Sequence, residues 1–281
     1  MSVSRRECRL IVLIVSFLVL VYYAVTNSIN PFHQISLIST QSQNLGQLGS
    51  EKAEDLEWLT IRATEEEQNY GDGTCPPNPN LPILKSMFRY WKDLADQYSI
   101  PYFLVAGSLV GAWRDGGLIP YDHDIDIIVS YDDFSKLSNL RDERPFVIGA
   151  DNKIRLVLQH DWRLDGYERR LHNCQNREVE FAFEDGCAFR FVFARIFAGN
   201  HSMDVYVYSV EQNNTIVHDL SMERKIPFKD VFPLRRCKFL GFDTKCPCNP
   251  HGYFKIWYMD DMRPFKVCKQ GKWVRRSMKY K

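Results

Sequence analysis

Apolar and polar positions fall along this chain in three regimes, each predicting a different kind of element. The first is continuous: Leu10–Val25 is apolar and uncharged throughout. That predicts a membrane-spanning helix, slightly shorter than the ~20 residues that cross a bilayer comfortably. Arg5, Arg6 and Arg9 precede the run, whereas Thr26–Ser50 contains no Lys or Arg. The positive-inside rule then expects a type II signal anchor at 10–25, a cytosolic tail at 1–9 and a lumenal remainder. A cleaved signal peptide is the rival; no clear Ala-x-Ala site follows, and Tyr22-Tyr23 suits an interfacial anchor. So short a span suits the thinner membranes of the early secretory pathway, so the expected location is the Golgi or endoplasmic reticulum membrane.

The second regime is polar. Thr26–Ser50 is rich in Ser, Gln and Asn, which predicts a flexible stem. Glu51–Gln68 sets Leu56, Leu59 and Ala63 at helical spacing among many acids. Gly71–Pro79 clusters chain breakers and marks a boundary. The stem therefore covers 26–80 and the folded domain 81–281.

The third regime is periodic. Ile83, Met87, Trp91, Leu94 and Tyr98 recur at three- and four-residue steps, predicting a helix over Pro82–Tyr98 with its apolar stripe in a core. Tyr102–Val105 predicts a strand and Leu109–Asp115 a short helix stopped by Gly116-Gly117. Asp122–Val129 alternates acid and aliphatic residues, the pattern of a half-buried strand. Asp132–Leu140 predicts a helix; Lys153–His160, Glu178–Phe183, Ala188–Phe197 and Ser202–Val210 predict strands. Asp161–Asn176, charged and irregular, predicts a specificity loop. The fold class is α+β (mixed α/β), a mixed sheet flanked by helices.

The 281 residues carry a formal charge of +1, and only its distribution is informative. Glu51–Asp72 is acidic, while Arg263–Lys281 is basic and contains no acid. Cys8 precedes the apolar run, leaving seven cysteines beyond it, so at least one stays unpaired if the others form disulfides. Cys237, Cys246, Cys248 and His251 raise a zinc alternative, but Cys-x-Cys is tighter than the usual ligand gap. In an oxidising lumen disulfides are the default. Asn200-His-Ser202 and Asn213-Asn-Thr215 are glycosylation sequons at predicted turns, meaningful only in a lumenal domain.

The chemistry gathers around Gly107-Ser108 and Asp122-His-Asp-Ile-Asp126. Gly107 admits a close backbone approach, and Ser108 opens a helix whose amides and dipole favour a phosphate. On a strand Asp122, Asp124 and Asp126 share one face, and neighbouring carboxylates repel unless a cation neutralises them. Oxygen-only ligands suit Mg²⁺ or Mn²⁺. Arg114 can steer a diphosphate or pair with Asp115. Asp204 is either a third ligand on a neighbouring strand or a strand-edge acid. No Gly-x-Ser-x-Gly, Walker-type lysine motif or Gly-x-Gly-x-x-Gly occurs, which argues against an ordinary hydrolase, kinase or dehydrogenase.

Gly107-Ser108, Gly111-Ala-Trp-Arg114 and Gly117-Leu-Ile-Pro-Tyr-Asp-His-Asp-Ile-Asp-Ile127 resemble the LicD/fukutin/fukutin-related family, as do Met203-Asp204-Val-Tyr-Val-Tyr208 and Phe232-Pro-Leu234. The resemblance covers roughly Leu81 to Arg263, and departs from the family at His123, where an acid is usual. It implies a nucleotidyltransferase-type fold and makes Asp204 the third metal ligand beside Asp124 and Asp126, all three catalytic, with Gly107, Ser108 and Arg114 orienting the donor. It implies a phosphotransferase taking a CDP-linked donor (CDP-ribitol or CDP-choline) to a glycan, glycoprotein or lipid-linked acceptor; no nucleic-acid partner is expected. The alternatives are an Asp-x-Asp glycosyltransferase, an enzyme transferring the nucleotide itself, and a catalytically silent glycan-binding or chaperone-like partner.

Overall fold

Ile125, Ile127 and Val129 point to one side of a strand and are wholly buried, as are Met203, Val205 and Val207 on its neighbour. That shared apolar face organises the fold. The computed structural model describes residues 57–59, 63–139, 147–151, 154–182, 184–257 and 262–276. In chain order these form α1 (Leu81–Gln97), β1 (Tyr102–Leu104), α2 (Ala106–Asp115), β2 (Asp124–Ser130), α3 (Tyr131–Asn139), β3 (Val147–Asp151) and β4 (Ile154–Leu158). There follow β5 (Leu171–His172), β6 (Glu178–Val179), β7 (Ala194–Ala198), β8 (His201–Glu211), β9 (Ile216–Asp219), β10 (Arg224–Pro227) and α4 (Phe228–Val231). Last come β11 (Arg235–Phe239), β12 (Phe242–Cys246), α5 (Pro250–Trp257), β13 (Lys266–Lys269) and β14 (Lys272–Arg275).

The main sheet runs β1-β2-β8-β7-β4-β3, with β9 added to β8 and β10 to β9. Among the described residues β2 and β8 are the one parallel pair. This is the mixed sheet expected. Helix α1 packs on β2, β7 and β8 and buries Leu84, Met87, Phe88, Trp91, Leu94 and Ala95, with Phe88 and Trp91 edge-on to Tyr102 of β1. Gly116 ends α2 in the left-handed conformation, φ 67°, which costs a glycine little because it has no Cβ.

Several sequence expectations are corrected. The acidic stretch before residue 68 is not helical where it is described: Trp58 bridges to Arg236, and 65–68 form a turn. Glu178–Phe183 shortens to β6, and Ala188–Phe197 gives β7 only from Ala194, the Arg190 and Phe191 carbonyls before it being turned onto the buried Arg169 guanidinium. The zinc alternative at Cys237, Cys246, Cys248 and His251 gives way to a Cys237–Cys246 disulfide across β11 and β12. His251 instead packs edge-on against Trp113. Disulfides also join Cys75 to Cys268 and Cys174 to Cys187, leaving Cys248 as the free thiol among the described residues.

The membrane expectation is corrected too. Among the described residues no helix is long and apolar enough to cross a membrane. The longest, α1, is amphipathic and carries Lys85, Arg89, Lys92, Asp93 and Asp96. The run 10–25 lies outside the described residues. The transmembrane helix, the type II topology, the membrane partnership and the Golgi or endoplasmic reticulum placement drawn from it are accordingly withdrawn.

Candidate active site

The site is built where β1 turns into α2 beside the start of β2. Ala106 makes that turn with φ 47°, a left-handed conformation costing a non-glycine residue roughly 1 kcal/mol. The turn is fastened to the acid strand twice: Val105 donates its amide to the Asp126 carbonyl at 3.2 Å, and Asp126 donates its own amide to the buried Ser108 hydroxyl at 2.9 Å. The N-terminus of α2 thus faces the Asp126 carboxylate, which accepts a hydrogen bond from the Gly107 amide. The glycine and serine expected to cradle a phosphate are engaged in holding an aspartate.

Parallel pairing of β2 and β8 sets Asp126 opposite Asp204. Register partners point to the same side of a sheet, so the face opposite the aliphatic core carries Asp124, Asp126 and Asp204. Asp122 joins them from the preceding turn: its carboxyl hydrogen-bonds that of Asp124. Strand alternation would turn His123 away from these acids. The strand begins only at Asp124, so strand alternation does not reach it. It is exposed, and one of its ring nitrogens lies within 4.8 Å of carboxylate oxygens of Asp122 and Asp124.

The electrostatics are those of crowded acids. Burial, then the charge of Asp124, pushes Asp122 up to about 7. Burial likewise raises Asp126 well above the carboxylate range, reinforced by Asp124, Asp204 and Asp122. Asp204 is raised by burial against the opposing pull of Arg195. Arg195 grips both oxygens of Asp204, from Nε and from Nη2 at 2.9 Å. The Tyr206 hydroxyl, beside the same acids, is raised by burial and by Asp126. Lys266 on β13 opposes the rise at Asp122.

Crowded carboxylates that resist ionisation fit a hard divalent cation such as Mg²⁺ or Mn²⁺, and Asp122 and Asp124 bring donor atoms within 4.8 Å of each other and of His123. Gly107 adds a second sign of fit, since a Cβ there would stand 2.9 Å from an Asp122 oxygen. Arg114 is placed elsewhere. It is buried, donating to Asp115 at 3.2 Å, to the Met262 carbonyl at 2.9 Å and to the Tyr70 hydroxyl. Sequence reasoning did not single out Arg195 or Lys266. Arg195 is found only through its register with Asp204, and the one signal for Lys266 was the basic composition of its segment.

Acids on adjacent strands of a mixed sheet, facing the first turn of a helix that carries Gly107 and Ser108, define a nucleotidyltransferase-type site. The comparison with known families agrees: residues 99–249, more than half of the chain, match the LicD/FKTN/FKRP nucleotidyltransferase domain. The chain belongs to that family. It is 30% identical over 121 residues to the ribitol 5-phosphate transferase FKRP of Mus musculus, covering 40% of this chain and 24% of that protein. The Homo sapiens protein of the same name matches to the same extent. Over 54 residues it is 40% identical to the lipopolysaccharide cholinephosphotransferase LicD of Haemophilus influenzae, covering 19% of this chain and 20% of the other. The match thus spans about a quarter of the mouse and human proteins.

Proposed function

We propose that this chain is a divalent-metal-dependent transferase. It moves a phosphorylated group of the ribitol-phosphate or phosphocholine type from a CDP-linked donor to a hydroxyl of a glycan or lipid-linked acceptor. One observation carries the reading: the register of Asp126 with Asp204 beside Asp124, at the N-terminus of α2. The names of the FKRP and LicD relatives support the class of group transferred.

Asp124, Asp126 and Asp204 would hold Mg²⁺ or Mn²⁺, with Asp122 supplying a further oxygen. The bound cation would neutralise the donor diphosphate and the departing nucleotide. Gly107 and Ser108 fix Asp126, and Arg195 fixes Asp204, so the acid set is held in place before the donor arrives. Lys266 adds a positive charge at the Asp122 side.

The test is a panel of CDP, CDP-ribitol, CDP-choline and UDP-sugars, scored for thermal stabilisation that requires Mg²⁺ or Mn²⁺, then for turnover. Metal-dependent stabilisation by the CDP compounds is expected, with turnover lost in folded Asp124→Asn and Asp126→Asn proteins. Turnover of UDP-sugars alone, or full activity in both variants, overturns the assignment.

A further inference from the structure

A site crowded with carboxylates repels the phosphates of a nucleotide unless positive charge offsets both. Two arginines near it are already committed. Arg195 grips Asp204, and Arg114 holds Asp115, Tyr70 and the Met262 carbonyl. Lys266 is different. Among the described residues its ammonium has no carboxylate within ion-pair distance. It stands 5.3 Å from the centre of the Tyr121 ring and 5.5 Å from that of Phe265. Tyr121 immediately precedes Asp122, and the Lys266 charge reaches the Asp122 carboxyl.

The chain fixes Lys266 in that position. It opens β13, and the β13–β14 hairpin is strapped to the segment 69–75, nearly two hundred residues earlier, by the Cys75–Cys268 disulfide. Cys268 donates its amide to the Tyr70 carbonyl at 2.6 Å and accepts from the Asp72 amide at 3.2 Å. The Gln270 amide donates to the Asp72 carboxylate at 2.8 Å, and the Gly271 amide to the Thr74 hydroxyl at 2.7 Å. Gly71 lies so close that a Cβ would stand 2.2 Å from the Cys268 carbonyl oxygen. Towards the acids, the Tyr121 ring meets Phe265 and Trp273 edge-on, centroids 5.6 and 5.2 Å away, and its hydroxyl accepts from the Lys266 amide at 3.4 Å. An aliphatic stem lying along such rings leaves its charged head at the water-facing edge.

We infer that Lys266 is a donor-phosphate ligand of this site, carried to the acid cluster by the disulfide-strapped hairpin. The inference rests on the transferase reading above and gives β13 the part that the sequence suggested for Arg114. An ammonium is a compact point charge suited to phosphate oxygens. Diphosphate charge that the divalent cation leaves unbalanced would meet it. The basic composition of 263–281 thereby acquires a specific use at its one residue beside the acids.

The test is calorimetric titration of the full chain, disulfides intact, with Mn²⁺ alone and then with CDP and with pyrophosphate in saturating Mn²⁺. Lys266→Met keeps the stem on the rings and removes the charge. It should weaken CDP and pyrophosphate about 10- to 100-fold. Mn²⁺ alone should bind at least as tightly as before, because a charge opposing the cation has gone. Lys266→Arg should stay close to the native chain, and an unchanged melting temperature shows the hairpin intact. A lysine that only tempers Asp122 would leave CDP and pyrophosphate affinity undiminished in Lys266→Met, which overturns the inference and spares the transferase reading. Failure of the native chain to bind either compound with Mn²⁺ overturns both. Lys266→Gln serves in its place should Lys266→Met misfold.

Discussion

Gly107 approaches Asp122 so closely that a methyl group on its Cα would sit 2.9 Å from the Asp122 Oδ2 and 3.7 Å from the Asp126 Oδ2. The glycine is demanded by the acid cluster itself.

Gly107→Ala should therefore act on the site and spare the fold. The added methyl displaces Asp122 and crowds Asp126, and small misplacements of reacting groups cost on the order of 100-fold. Metal-dependent turnover is expected to fall about 10- to 100-fold, while the melting temperature moves by a few degrees at most. Unchanged turnover in the alanine protein would mean Asp122 lies outside the working site.

Arg195 and Asp204 form a nearly buried pair, each side chain 13% exposed. Removing one partner strands the other, which typically costs about 3–5 kcal/mol. Arg195→Leu should lose about 3 kcal/mol in urea unfolding, and adding Asp204→Asn should recover most of it. Losses that simply add would show that the two side chains do not depend on each other.

Arg114 tests the difference between a phosphate ligand and a structural post. A lysine cannot reproduce contacts to Asp115, Tyr70 and the Met262 carbonyl together. Arg114→Lys should cost roughly 1–3 kcal/mol of stability with the donor KM of the folded protein unchanged. A raised KM at full stability would return Arg114 to the donor.

Asp219 gives a pH signature away from the acid cluster. Its Oδ1 accepts from the Ser221 and Met222 amides, its Oδ2 is buried without a partner, and burial raises the group to about 6. A raised folded value means folding favours the protonated form. That contribution is complete below about 4 and is lost as the pH rises to about 6. Asp219→Asn should flatten the melting-temperature profile across that window by the equivalent of about 2–3 kcal/mol. Parallel profiles for the two proteins would place the titration elsewhere.

Local signals were legible where one segment sets its own structure. The stripe Met87, Trp91, Leu94 gave α1, the Gly116 stop gave the end of α2, and acid–aliphatic alternation gave β2 with its aliphatic side buried. Asp124 and Asp126 share a face because a strand has a period of two, and that needs no tertiary information. What lies between segments was decided by the fold. The register of β2 on β8 brings Asp204 to Asp126 and Arg195 to Asp204, and strand pairing over long separations leaves no trace in local periodicity. The turn before β2 carries Asp122 into the cluster, where alternation does not apply. Burial then directs Ser108 to a backbone amide and Arg114 to Tyr70, because a buried polar group must find the partner that packing puts within reach.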